Sequence, residues 1–370
     1  MLKAVLYRPD YVKVGILPVL SGTAVVRRNE VGDFVLEVNG NHQGWQRFRK
    51  GHRVVLLDDS QQIMAGAITE AHKSFTAGVR TITLKGKSDM VWLARRVTFP
   101  DPAVAADSQT ASAYYKRSGN AETLIRDMVR LNVGPDARAE RRETLTMDPN
   151  GNRGGQVALN SRFKNVLEEA HALGLVGGVT FETRQELGTS VFGFRDQRDL
   201  TRHIRLSPVN GGVTAYELGE TAPEVTDVIV AGQGEGTART IKVREGNAND
   251  WGVKAEEFRD RRDTDDEDEL DQAGDERLAE GAEAASVSLE IGDTDRYRFA
   301  TNFYLGDRIT VNLGDDGVIQ DLVQSAEIDW SEDGRRVKLQ VGPTLDEEDA
   351  PRWKQAFDRL RRDVGGLKAV

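Results

Sequence analysis

The chain has 370 residues, no cysteine and a formal net charge of -10 at pH 7. This length predicts two or three domains, and the lack of cysteine excludes disulfides and thiolate metal sites. The acidic balance argues against a general nucleic-acid-binding protein, because phosphate binding needs a clustered positive surface. Charged residues interrupt residues 1–20, so no signal peptide is expected, and no later segment has the length of a membrane span.

Residues 1–86 show the two-residue alternation of half-buried strands. Phe34, Leu36 and Val38 occupy alternate positions, and turns such as Asn39-Gly40-Asn41 separate the runs. The pattern predicts an antiparallel barrel or sandwich.

The middle of the chain mixes helices with strands. One helix is predicted from Ala121 to Val133 behind an Asn120 cap, and another from about Arg162 to Leu173, capped by Ser161 and ended by Gly174. Strands are expected at 179–183, 191–195 and 213–218. This part is therefore predicted to be α+β.

A glycine cluster follows the short apolar strand 227–230. Gly232, Gly234 and Gly236 could suggest a phosphate-binding loop, but no Gly-Lys-Ser/Thr follows and residues 240–243 have the pattern of a strand. The spacing favours a wide hairpin or a bulge.

Residues 260–283 are strongly acidic. The spacing of their aspartates does not fit an EF-hand, so a charged face is favoured over a calcium site; these residues include Asp263, Asp265, Asp266 and Asp268. A thin apolar stripe favours a solvated or interface helix over a buried one; it consists of Leu270, Ala273 and Leu278.

A pattern near the start of the chain recurs near its end. The first copy is Phe48-x-x-Gly51-x-Arg53-Val54 and the second is Phe303-x-x-Gly306-x-Arg308-Ile309. In both, about forty residues separate the Phe from a closing glycine, Gly86 or Gly342. Duplication of one small β-module is favoured, and the alternative is that any small barrel needs a glycine turn before an apolar strand. Beyond the second copy, Trp353, Phe357 and Leu360 have helical spacing and predict a terminal helix that docks on another surface.

Signals for catalysis are weak. The five histidines form no His-Glu-x-x-His motif, and no serine lies in a Gly-x-Ser-x-Gly motif. Acidic pairs are too numerous to identify glycosidase carboxylates. No catalytic residue, metal or cofactor is therefore predicted, although a cell-wall hydrolase whose carboxylates converge only in the fold remains the main alternative.

Several stretches together resemble the tail-hub, or baseplate-hub, family of minor tail proteins from long-tailed phages (siphoviruses) of actinobacteria. The resemblance follows the chain in order over nearly its whole length. It is carried by residues 86–102 with Asp89, Leu93, Arg96 and Pro100, by Ser161-Arg162-Phe163 with Leu167, by 226–236, by Asp260-Arg261-Arg262-Asp263 with Glu269-Leu270, and by Tyr304-Leu305-Gly306-Asp307-Arg308.

The resemblance implies a homotrimer at the tail tip of the virion, made in the host cytoplasm. Each protomer would carry two similar β-barrels, so three copies would present six like modules to a hexameric ring. The implied partners are the distal tail protein or last tail-tube hexamer, the tape measure protein and downstream tail-tip proteins. DNA would pass through the hub without specific binding.

The expected site residues follow from this picture. Gly51 and Gly306 would form the barrel turns, and Arg53, Asp307 and Arg308 would lie near ring contacts, with a weak rim salt bridge as the alternative. The acidic residues of 263–268 would face the channel and repel DNA. Further alternatives are the hub of a phage-derived injection system and a receptor-binding tail protein.

The expected fold class is α+β, mostly antiparallel β, with two small β-barrel modules around an α+β middle region. The expected boundaries are 1–95 for the first barrel, 96–245 for the middle domain, 246–285 for an acidic helical linker, 286–345 for the second barrel and 346–370 for the C-terminal helix.

Overall fold

The computed structural model describes residues 2–42, 47–246, 249, 251–292 and 294–343. The predicted C-terminal helix lies outside the described residues. The strands are β1 Leu2–Tyr7, β2 Lys13–Ile16, β3 Val19–Arg27, β4 Asp33–Asn39, β5 Arg53–Asp58, β6 Gln61–Thr76, β7 Val79–Ser88, β8 Tyr115–Asn120, β9 Leu145–Met147, β10 Gln156–Ser161, β11 Thr180–Glu186, β12 Thr189–Arg195, β13 Arg205–Leu206, β14 Val213–Thr221, β15 Asp227–Ala231, β16 Ile241–Glu245, β17 Glu256–Asp260, β18 Ala284–Ile291, β19 Arg308–Asn312, β20 Val318–Ser331 and β21 Gly334–Val341. The α-helices are α1 Val91–Ala94, α2 Ala121–Asn132, α3 Val166–Gly177 and α4 Glu267–Glu280.

One large sheet connects the two ends of the chain. Its main path is β14-β18-β21-β20-β3-β4-β7-β6-β5-β1-β2, with β19 and β13 attached beside β20. The prediction of a mostly antiparallel β fold is confirmed. Closed barrels are not found, because within the described residues the path ends at β14 and β2 without joining.

The repeated pattern corresponds to two meanders with matching strand pairs. Leu56 pairs with Met64 in the first, as Val311 pairs with Ile319 in the second. Both long strands also carry a bulge at the same place, between Ile68 and Glu70 in β6 and between Val323 and Ser325 in β20. A constant offset therefore relates the two meanders from the opening Phe to the last strand.

The constant offset corrects one expectation from the sequence, which treated Gly86 and Gly342 as equivalent positions. Leu84 corresponds to Leu339, so Gly86 corresponds to Val341 and not to Gly342. The apolar positions of the strands define the repeat, and the closing glycines lie one residue apart.

The two meanders share one hydrophobic core, because β20 of the second pairs directly with β3 beside the first. Ser325 lies opposite Arg27, and Trp330 lies opposite Gly22. Asp58 reinforces the junction: its carboxylate lies 2.6 Å from Arg335 Nε and accepts a hydrogen bond of 3.3 Å from Trp330 Nε1.

The middle region has a separate core built around α2 and α3. The first predicted helix is confirmed, with the Asn120 side chain accepting from Thr123 N at its start. The second begins later than predicted, at Val166, with Asn165 as its cap. Phe163 explains the shift, because its φ of 52° is left-handed and its backbone N donates to Thr98 O at 2.8 Å.

A small unit, residues 223–283, is inserted between β14 and β18. Here β15 pairs with β16 and β17, and α4 covers one face of this three-stranded sheet. The glycine cluster joins the antiparallel strands β15 and β16, as the predicted hairpin requires. The predicted apolar stripe packs on the sheet: Leu270 and Ala273 are buried against β15, and Leu278 is partly buried beside them. Of the charged side chains of α4, Asp268 and Asp275 are exposed, whereas Glu276 lies against α3. The domain boundaries proposed from the sequence stay predictions.

Candidate functional site: edges and face of the large sheet

The two turn glycines precede equivalent strands but have different surroundings. Gly51 and Gly306 have φ angles of 85° and 81°, a conformation that favours glycine. A Cβ on Gly306 would lie 2.2 Å from Thr180 Oγ1, whereas the nearest atom to one on Gly51 would be Pro9 Cγ at 3.5 Å. The turn at Gly306 therefore packs tightly against the middle region, whereas the turn at Gly51 has more space around it.

Arg53 is buried in a polar network that joins the first meander to the middle region. Its side chain is 5% exposed, forms an ion pair with Asp89 and donates from Nε to Gln185 Oε1 at 2.7 Å. Ser190 donates to Asp89 at 2.5 Å, and the Arg53 guanidinium lies 4.2 Å from the Tyr11 ring centroid. Burial raises the pKa of the Asp89 carboxyl, against the opposing effects of Arg53 and Ser190.

The second copy reverses this arrangement. Arg308 is exposed and donates from Nε to Gln320 O at 3.3 Å. Asp307 is buried instead, and it receives Arg198 of the middle region at 3.0 Å from Nε to Oδ1. The ring-contact role expected of Arg53, Asp307 and Arg308 stays a prediction; within one chain, Arg53 and Asp307 hold the middle region.

The acidic residues of the small unit divide into two groups. Asp263 lies against the middle region, where Asn160 Nδ2 donates to it at 3.0 Å. Burial of Asp263 is outweighed by its bond to Arg261, so its pKa lies below the ordinary value. Asp265, Asp266 and Asp268 are exposed, and Asp266 caps α4 by accepting from Asp268 N at 2.9 Å. Their channel-facing role stays a prediction.

The large sheet has a polar face opposite its core. Along β14-β18-β21-β20-β3-β4-β7-β6, charged and hydroxyl side chains alternate with the buried residues, and many are paired across strands. Ser21 donates to Glu37 at 3.0 Å, and Arg27 lies 2.8 Å from Asp33. We call these eight strands the eight-strand path.

The eight-strand path has an open edge at each end. In the described residues β14 pairs only with β18, and β5 pairs with β6 only as far as Ala67. Among the described residues, the backbone of 69–76 in β6 therefore forms strand pairs only with β7, and these residues are exposed. Phe75 is 66% exposed, although its equivalent Trp330 is 6% exposed.

Sequence reasoning missed these edges. The signal was present, because the constant offset between the meanders places Glu70 to Phe75 at the positions of Ser325 to Trp330. What the equivalent positions in the second meander contact depends on the pairing of β20 with β3, and the sequence alone does not give that pairing.

Cavities of different sizes lie in the part of the chain that the structure describes. No group of three or more His, Asp or Glu side chains there is placed to hold a metal ion. No helix in those ranges is long and apolar enough to cross a bilayer. A cavity of about 60 Å³ lies between α3 and α4, lined by Asn160, Arg261, Glu269 and Glu276 among others. This volume holds a few waters and not a sugar ring. A second, more open cavity of about 360 Å³ is lined by Arg96, Phe99 and Arg141 among others.

Three solved structures share the fold over nearly their whole length. The tail protein from Neisseria meningitidis MC58 is 13% identical with a TM-score of 0.59, covering 92% of this chain and 96% of that one. The 43 kDa tail protein of prophage MuSo2 from Shewanella oneidensis is 12% identical with a TM-score of 0.58, covering 92% and 98%. The prophage tail protein gp18 from Listeria monocytogenes EGD-e is 11% identical with a TM-score of 0.55, covering 91% and 94%.

Among curated proteins, none matches the chain. The family model described as "Siphovirus ReqiPepy6 Gp37-like protein" matches residues 6–343. The expected resemblance to siphovirus tail proteins is thereby confirmed. The chain belongs to the Siphovirus ReqiPepy6 Gp37-like family of phage tail proteins.

Proposed function

We propose that this tail protein is a trimeric hub, in which three copies join their eight-strand paths edge to edge around the DNA exit channel. The observation that carries the proposal is the junction between β20 and β3 inside one chain. At this junction, β20 of the second meander pairs with β3, the strand beside the first meander.

The repeat extends beyond the meanders to the strands beside them. Leu36 of β4 pairs with Leu84 and Gly22, and Leu289 of β18 pairs with Leu339 and Tyr216. Strands β3-β4-β7-β6 are thus equivalent to β14-β18-β21-β20. The open edge of β6 is equivalent to the paired edge of β20, and the open edge of β14 is equivalent to the paired edge of β3.

If β6 of one copy meets β14 of the next as β20 meets β3 within the chain, the strand register between the copies is fixed. Because Trp330 lies opposite Gly22, Phe75 would lie opposite Tyr216 of the next copy, and Ser74 would lie opposite Glu217. The contact would cover Phe75, just as the chain covers Trp330. Exposed, unpaired edges are a template for such pairing.

Strand direction permits the ring to close. All seven pairings along the eight-strand path are antiparallel. The two end strands therefore run in opposite directions, and β6 can meet the next β14 antiparallel as well. Three copies with two equivalent units each give six units around one axis, which matches a hexameric ring.

In such a ring the polar face lines the channel, because the opposite face is the core. Its charges largely neutralise one another: Arg27 faces Asp33, and Lys85 lies 3.7 Å from Glu70. A polar lining with paired charges offers DNA no clustered positive surface. The hub would then join the distal tail protein or last tube ring to later tip proteins, with the tape measure protein in its channel before ejection.

The test uses the absence of cysteine from the natural chain. We expect the double variant Ser74→Cys/Glu217→Cys to form disulfides between copies on oxidation, giving a ladder that ends at the covalent trimer in non-reducing electrophoresis. Opposed residues in an antiparallel pair have Cα atoms about 4.5–5.5 Å apart, within disulfide range. Glu70→Cys/Thr221→Cys should behave in the same way.

The matched control is Ser74→Cys/Thr221→Cys, whose positions would be four residues out of register and about 13 Å apart. Only monomer from the two test pairs, or equal cross-linking in the control, would overturn the proposed junction. A ladder that ends at dimer or continues beyond trimer would overturn the trimer.

We also propose that the role is structural and not enzymatic. Glu269 and Glu276 line the same small cavity, but Glu269 accepts from Asn160 at 3.0 Å and Glu276 accepts from Gln272 at 2.6 Å. These carboxylates are held by the contact between α3 and α4. Peptidoglycan incubated with the assembled protein should release no more soluble sugar than a buffer control.

A further inference from the structure

We propose that the larger cavity, on the middle region, is a docking site for an acidic side chain of a partner protein, an Asp or Glu flanked by apolar residues. The cavity has a volume of about 360 Å³. Three arginines line it, Arg95, Arg96 and Arg141. An apolar wall that includes Val97 and Phe99 completes it.

Arg141 places a buried charge at this cavity. It is 9% exposed, and its guanidinium lies 3.6 Å from the centre of the Phe99 ring. It donates to Val97 O, and to Asn132 Oδ1 at 3.5 Å. Both acceptors are neutral, so the charge stays uncompensated until an anion lies beside it. Burial lowers the pKa of the Arg141 guanidinium to about 10, and the neighbouring Arg96 also lowers it.

The carboxylates around the cavity already have partners. Glu143 Oε1 lies 2.6 Å from Arg96, and Glu140 Oε1 lies 2.5 Å from Arg138. Among the described residues, Arg141 forms no ion pair with a carboxylate. An entering carboxylate would therefore supply the opposite charge that the buried guanidinium lacks.

Arg28 shows what distinguishes Arg141 from a purely structural arginine. Arg28 is also buried, and it donates to Thr180 Oγ1 at 2.9 Å and to Val179 O at 3.3 Å. Burial lowers the pKa of Arg28 to about 10, but Asp321 opposes this effect. Arg28 lines neither of the two cavities described above. At Arg141 the neighbouring charge is positive instead, and the cavity gives an anion access to the guanidinium.

The shape and chemistry of the cavity favour a carboxylate on an apolar segment. A guanidinium can bind a carboxylate through two parallel hydrogen bonds, and the apolar wall can accept the neighbouring aliphatic or aromatic side chain. A phosphate, with more negative charge, would also meet Glu140 at the cavity. Because the cavity is open, it would cover only part of a small molecule, whereas a partner protein covers the remaining side with its own surface.

Peptide binding to the full-length protein tests the proposal. One labelled mixture has a central Glu flanked by positions that vary among Leu, Val and Phe, and the matched mixture has Gln at the centre. We expect fluorescence anisotropy to show binding of the Glu mixture that is about tenfold tighter, because only the carboxylate compensates the charge of Arg141.

A variant that fills the cavity leaves Arg141 itself in place. Ala106 is exposed and lines the cavity, so Ala106→Trp should weaken binding of the Glu mixture about tenfold. The matched control is Ala103→Trp, which lies in the same loop, is also exposed and is not among the residues that line the cavity. The control should bind like the unaltered protein, and both variants should keep its melting temperature.

Three results would overturn the proposal. The first is equal binding of the two mixtures or binding of neither, and the second is equal weakening by both tryptophan variants. The third is a labelled DNA single strand that binds the unaltered protein but not Ala106→Trp, which would assign the cavity to phosphate. None of the lining residues belongs to the eight-strand path, so the outcome does not depend on the proposed trimer.

Discussion

The two meanders have the same strand register and opposite surroundings. The first buries its arginine, Arg53, against Asp89, and among the described residues the far end of its long strand pairs with a neighbouring strand on one side only. The second exposes its arginine, Arg308, and has its long strand paired with β3 over the equivalent stretch. The repeated pattern thus specifies the meander, while the residues added around each copy decide which surface stays available for assembly.

The largest expected difference is between the two arginines. Arg53→Ala should lower the free energy of unfolding by about 4 kcal/mol, because it leaves the buried Asp89 without its ion-pair partner. Arg308→Ala should change it by less than about 0.5 kcal/mol, since the side chain is exposed. Urea unfolding followed by circular dichroism measures both. Equal losses would refute the different roles.

Substitutions at the equivalent residues Trp330 and Phe75 should have different effects, on folding in the first case and on assembly in the second. Trp330→Ala should cost about 3 kcal/mol of unfolding free energy, because Trp330 is buried at the junction with β3. Phe75→Ala should leave the stability of the dissociated chain unchanged within about 0.5 kcal/mol and weaken the proposed trimer. Sedimentation at decreasing concentration measures the second effect. Unaltered association would argue against the β6 edge as a contact.

Alanine substitutions at the two turn glycines test how closely each turn packs against the middle region. Gly306→Ala should cost about 2 kcal/mol, since the new methyl group clashes with Thr180 in addition to the strain of a positive φ. Gly51→Ala should cost about 1 kcal/mol, from the backbone alone. Thermal unfolding compares the two. A greater loss at Gly51 would contradict the asymmetry.

The smallest effect concerns His52, which occupies the position of Asp307 in the other copy. Burial lowers the pKa of the His52 imidazole, and Arg49 and Arg8 lower it further. The folded state then binds fewer protons than the unfolded state, so this contribution is complete above the ordinary pKa of 6.5 and is lost as the pH falls below it. His52→Gln should therefore lose less stability than the natural chain between pH 7.5 and pH 5. The exposed His203→Gln variant is the control, and identical slopes for His52→Gln and the natural chain would contradict the assignment.

The features that could be predicted from the sequence were those that depend on residues close together in the chain. Asn120 marks the start of α2, and the Phe-x-x-Gly-x-Arg pattern marks both meanders, because capping and turn geometry depend on neighbouring residues. The start of α3 was missed, because Phe163 adopts a left-handed conformation held by Thr98, more than sixty residues earlier.

The candidate site was harder to predict for the same reason. Arg53 and Arg308 are identical in the repeated pattern, and only the folded position of Asp89 and Ser190 separates them. The open edges of β6 and β14 depend on strand pairings across the whole chain. The repeat could have indicated the equivalence of Phe75 and Trp330, but not that one is covered and the other open.

In the proposed ring, the even number of strands in the eight-strand path means that strand pairing does not fix the number of copies. Every added copy presents the same free edge as the one before, so no hydrogen-bonding rule stops growth at three. In the proposed trimer, the curvature of each copy would have to bring the third copy back to the first. Substitutions that flatten the sheet without unfolding it should therefore convert closed particles into open fibres, the general fate of head-to-tail contacts that fail to close.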